Sequence, residues 1–128
     1  MTRSHLILAA ALVAGLAGCT KNPPTSAGGK PVAHWVKSLD SPDPHRRREA
    51  VEKLGNVGPA DPVARPAVLR ALRDKDPRVR KEAVVALHKF GPPDPDLVRL
   101  LTDLKVHDPD PHVREYAARA LEGSQAGP

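Results

Sequence analysis

The chain has almost no aromatic side chains. With one Trp, one Tyr and one Phe in 128 residues, its buried surface must come from Leu, Val and Ala, a supply suited to helices packed closely through small side chains. The same shortage removes the stacking platforms of nucleic-acid binders. Cys19 is the single cysteine, so no intramolecular disulfide can form. Long apolar runs are missing too: "LILAAALVAGLAG" is well short of the roughly 20 residues that a membrane-spanning helix needs. Charge of one sign is also scarce. Lys plus Arg outnumber Asp plus Glu by 20 to 15, the signs are interspersed, and the surplus shrinks once Arg3 and Lys21 are set aside. Duplex DNA, which rewards a concentrated basic face, is a poor match despite the pI near 9.7. A charged fraction of 27% and an apolar fraction of 40% rule out wholesale disorder.

What is present begins with a leader. A short start carrying Arg3 runs into the apolar stretch and then into "LAGC", Leu16 to Cys19. That is the layout of a secretory signal, not of a spanning helix. The "LAGC" motif resembles the bacterial lipobox, where small residues fit a narrow cleavage site and the cysteine thiol takes a diacylglycerol. The resemblance implies cleavage after residue 18, lipidation of Cys19, and a mature protein anchored to a bacterial membrane. Thr20 stands behind the cysteine where aspartate would retain such proteins at the inner membrane. The expectation therefore leans to the outer membrane, facing the periplasm. Residues 19–31 are rich in Pro, Gly and Ser without apolar periodicity and read as a flexible tether spanning at most about 40 Å.

Residues 32–123 repeat. Asp-Pro pairs at Asp43-Pro44, Asp76-Pro77 and Asp110-Pro111 recur every 33 or 34 residues. A period of this size marks an array whose units must stack to bury their apolar faces. Each unit, 32–60, 61–93 and 94–123, reads as a helix pair. The first helices carry Val32, Trp35, Val36 and Leu39, then Val68, Leu69 and Leu72, then Leu97, Leu100, Leu101 and Leu104. In the second helices Val79, Ala83, Val84 and Leu87 form an apolar stripe matched by Val113, Ala117, Ala118 and Leu121. The aspartates are placed to cap helix N–H groups, with proline at N1, and Val57-Gly58-Pro59 and Phe90-Gly91-Pro92 read as helix ends. Arg46 replaces the valine of the other units, which marks the first unit as a cap. The third unit ends sooner, in "EGSQAGP", so the array is expected to finish there, with 124–128 as a tail.

The runs from Asp76 to Leu87 and from Asp110 to Leu121 resemble the HEAT-like repeats of the bilin (PBS) lyase type, whose units carry Asp-Pro-x-Val-Arg-x-x-Ala-Ala-x-Ala-Leu-Gly. The resemblance implies an all-α fold, a short right-handed α-solenoid of three antiparallel helix pairs, used as a scaffold for protein contact. It further implies a structural ladder in which Arg47, Arg80 and Arg114 pair with the turn aspartates, Asp43, Asp76 and Asp110.

No catalytic constellation is present. "HDPDPH", His107 to His112, places two imidazoles beside two carboxylates, but prolines hold the carboxylates for turning and capping and the spacing matches no established ligand set. His34 and His88 have no partners visible in the sequence. No metal, cofactor or small-molecule substrate is called for. The basic run "HRRRE", His45 to Glu49, reads either as a solvated helix start or as a contact for anionic lipid headgroups. In solenoids the second helices line the concave side, so Arg48, Lys81, Val85, Glu115, Tyr116 and Arg119 are the candidate partner-binding residues. Val85 and Tyr116 put apolar surface where their equivalents are charged, and tyrosine is enriched among interface hot spots. Burial of Tyr116 against the tail is the competing assignment. The expectation is a non-catalytic, membrane-anchored scaffold for an envelope protein partner. The alternatives are a structural envelope lipoprotein without a partner groove and an accessory subunit of an enzyme complex.

Overall fold

A computed structural model describes residues 26–125; the expected leader, Cys19, the start of the expected tether and residues 126–128 lie outside the described residues. The described residues form six helices: α1 (Val32–Ser38), α2 (Pro44–Val57), α3 (Ala64–Ala71), α4 (Pro77–His88), α5 (Pro95–His107) and α6 (Pro111–Gln125). A short 3-10 turn, Gly58–Ala60, precedes α3. Odd-numbered helices make one layer and even-numbered helices the other, giving a short all-α solenoid. The even helices pack on one another in series, α2 on α4 and α4 on α6, and form the more continuous layer.

The Asp-Pro pairs start the helices as their chemistry requires. Asp43, Asp76 and Asp110 each accept a hydrogen bond through Oδ1 from the backbone N–H two residues on, at 2.9, 2.8 and 2.9 Å. A fourth pair caps one residue further on: Asp94 accepts from the Leu97 N–H at 2.8 Å, and α5 begins at Pro95. Gly58 and Gly91 take positive φ where helix ends are expected. Gly123 does not; no proline follows it to stop the chain, and α6 runs on to Gln125.

The core runs through the stack between the layers. Val51, Leu54, Val68, Val79 and Leu87 are at most 1% exposed. α2 and α4 cross so closely that a side chain on Gly55 would bring its Cβ within 2.7 Å of Ala86 Cβ. Arg46 is exposed on α2, as a cap position should be.

The end of the tether is folded, contrary to the reading of 19–31 as uniformly flexible. Ser26–Ala27 pairs antiparallel with Lys30–Pro31 across Gly28 and Gly29, whose φ values of +56° and +73° suit a two-residue turn. Trp35 explains why so small a hairpin holds. Its indole N–H donates to the Ala27 carbonyl at 2.8 Å, Ala27 is buried, and Lys30 Nζ lies 5.3 Å from the ring centroid. Gly28 rests beside the Lys53 side chain, so the hairpin covers the N-terminal end of the stack.

Candidate interaction surface

Two constellations stand out on the solenoid, and the arginine ladder comes first. Arg47 on α2 donates through Nε and Nη2 to both oxygens of Asp74, at 2.8 and 3.0 Å. Arg80 on α4 grips Asp108 in the same bidentate way, at 2.8 and 2.8 Å. In each case Nη1 turns back to the arginine's own turn: Arg47 to the Ser41 and Pro42 carbonyls, Arg80 to that of Asp74. One guanidinium thus ties its own unit to the next.

This corrects the expected pairing. Asp43, Asp76 and Asp110 are not the ladder's acids, because their oxygens face their own helix starts; Asp76 is further held by Arg78 at 2.8 Å. The acids are Asp74 and Asp108, two residues earlier, whose Oδ1 atoms also accept from the N–H of Asp76 and Asp110. The signal was available in the repeat: "DKDP" and "DPDP" carry the extra aspartate at the same place, and "SPDP" carries Ser41 there instead. Arg114 makes only the inward half of the pattern, Nη1 to the Asp108 and Pro109 carbonyls at 2.8 and 3.3 Å.

The charge states follow from this geometry. Hydrogen bonds donated to Asp74 and Asp108 hold the Arg47 and Arg80 guanidinium groups above their ordinary pKa. Burial pushes the Asp108 carboxyl up, but the Arg80 hydrogen bonds and the Asp110 N–H outweigh it and leave it below the usual carboxylate range. Asp76, hydrogen-bonded by Arg78 and by the start of α4, is lowered to about 2.

The second constellation lies on the layer of second helices, the side expected to be concave. Lys81 and Val85 on α4 meet Tyr116 and Arg119 on α6, with Lys81 Nζ 5.1 Å and Arg119 Cζ 5.8 Å from the tyrosine ring centroid. Glu115 forms an ion pair with Arg119. Val84, Val85, His88, Tyr116, Arg119 and Ala120 line an open depression of ≈ 260 Å³. Arg48 stands apart, exposed on α2, near Glu82; that carboxyl is pushed up by partial burial and by the neighbouring Glu52. Five of the six candidate residues therefore gather between two helices, and one does not. Tyr116 is half-buried, and the tail proposed to cover it lies largely outside the described residues.

Other sequence candidates disperse. His107 pairs with Asp103 at 2.9 Å, Asp108 serves the ladder, Asp110 caps α6, and His112 is exposed, so "HDPDPH" splits among four separate tasks. Within "HRRRE", Arg47 is buried while His45, Arg46 and Arg48 face solvent. A larger hollow, ≈ 520 Å³, lies between α1 and α3, where no sequence motif marks it. Val32, Val36 and Val63 line it, and the charges on its rim, Arg70 and Asp40, engage each other at 3.4 Å.

A family model of HEAT repeats matches residues 32–122, nearly all of the stacked region after the hairpin. No curated protein matches the chain.

Proposed function

Because the chain belongs to the HEAT repeats, whose helix stacks generally serve protein–protein contact, we propose that it is a non-catalytic scaffold for a protein partner in the cell envelope. Lipid on Cys19 holds it at a bacterial membrane, and Thr20 behind the cysteine favours the outer membrane, facing the periplasm. The observation that carries the binding reading is the gathering of Lys81, Val85, Tyr116 and Arg119 over one depression on the concave side. An aromatic face flanked by two cations and an exposed valine offers both buried area and charge to a partner side chain. The Asp-Pro-x-Val-Arg runs favour repeats of the bilin-lyase type.

The test has two arms. Metabolic labelling with a fatty-acid analogue is expected to mark the protein and to fail for Cys19→Ser, which also stays uncleaved; label on the variant would remove the anchor. Separately, Tyr116→Ala combined with Lys81→Ala is expected to lose proteins that co-purify from envelope extract, with helix content unchanged by circular dichroism. Retention of those proteins would move the site off the concave face.

A further inference from the structure

The two ends of the stack are finished differently. In α2 and α4 the stripe formed by the ladder arginine and the residues four and seven positions on is buried by the following unit: Arg47, Val51 and Leu54, then Arg80, Val84 and Leu87, none more than 9% exposed. In α6 the equivalent stripe, Arg114, Ala118 and Leu121, is only half-covered among the described residues. Arg114 also holds its own turn through Nη1 as the other two do, while no carboxylate among the described residues meets its Nε and Nη2. The guanidinium is therefore already oriented for a bidentate acid, with a short apolar stripe beside it.

We propose that this C-terminal end of the stack is a docking surface for a partner protein whose helix pair presents an aspartate at its turn, as Asp74 and Asp108 do within the chain. Charge complementarity fixes the chemistry, because at both inner interfaces the guanidinium takes a carboxylate through Nε and Nη2. A second copy of the chain does not fit. At its N-terminal end the place of Asp74 is held by Ser41, whose Oγ accepts from the Asp43 N–H as the aspartates accept from Asp76 and Asp110. That end also lies under the hairpin, which rests on Lys53, the residue equivalent to Ala86 at the α2–α4 crossing. The surface is separate from the concave depression, so the two can be tested apart.

The probe is the full chain with a second copy of residues 61–93 appended, which places a carboxylate as far beyond Asp108 as Asp108 lies beyond Asp74. Thermal melting is expected to rise by about 5 °C or more over the parent chain. Asp74→Asn in the appended unit should lose much of that gain, and Arg114→Gln should abolish the difference between the Asp and Asn versions while leaving both folded. Equal melting of the Asp and Asn versions, or no gain from the appended unit, would overturn the proposal. Sedimentation of the unmodified chain supplies the other arm: a monomer is expected, and a dimer abolished by Arg114→Gln would assign the surface to a second copy instead.

Discussion

At the scale of single residues, the ladder shows how little sequence distance separates two different jobs. Asp74 and Asp76 are two positions apart in one turn, yet the first crosses to the preceding unit's Arg47 and the second closes on its own helix start. Ionised carboxylates fill both jobs, which makes the fold sensitive to acid. Asp76 has its pKa lowered to about 2, and Asp108 is also depressed. A depressed carboxyl adds stability that is fully present above its unfolded pKa of about 4 and is lost as pH falls through the folded value. Melting temperature is therefore expected to be flat down to about pH 4 and to fall between pH 4 and pH 2. Asp76→Asn keeps a competent helix cap but removes the charge and one of the two acceptors for Arg78. It should melt lower at neutral pH and show a shallower acid slope; a slope identical to the parent's would mean that Asp76 does not carry it.

At the scale of elements, the period of the sequence made the helix pairs legible, because an Asp-Pro start and an apolar stripe are local signals repeated three times. What stayed hidden depended on contacts between distant segments. The aspartate that meets each arginine is chosen by the packing of neighbouring units, and the sequence offered two recurrent aspartates per turn. The hairpin at Ser26–Pro31 is too short for an alternating pattern and exists because Trp35 receives it. The start of α5 at Pro95 carries the same Asp-Pro signal, hidden because it lies outside the repeating phase. The concave cluster was legible as a list of helix positions, and the structure added which of them meet. Gly55 illustrates an element-level constraint that no periodicity reports: α2 and α4 approach there until only hydrogen fits. Gly55→Ala improves helix propensity by about 1 kcal/mol but forces a Cβ into Ala86, and overpacking costs about 1–3 kcal/mol. The expected outcome is a net loss in chemical denaturation, relieved by adding Ala86→Gly; a stabilised Gly55→Ala would show that the helices separate freely.

At the scale of the whole molecule, no unit owns a complete core. The arginine of one unit is bound by the next, and α2, α4 and α6 pack in series. Stability in such a stack is close to a sum of unit terms and interfaces, and three units are few enough that the interfaces decide whether anything folds. The central unit takes part in both. Leu87, 1% exposed, lies in the stripe that the third unit buries, and α4 also rests against α2. Leu87→Ala should cost about 2–5 kcal/mol, a large share of the roughly 5–15 kcal/mol that a domain commonly has. Leu121, its half-covered equivalent, has less burial to lose. Circular dichroism melts are therefore expected to show one transition for each variant, with Leu87→Ala displaced downward by more than about 10 °C and Leu121→Ala by clearly less. Two resolved transitions in Leu87→Ala would mean that the first unit and its hairpin hold together without the rest. Equal losses in the two variants would mean that Leu121 is buried as deeply as Leu87 in solution, and the end face at Arg114 would then be closed to a partner.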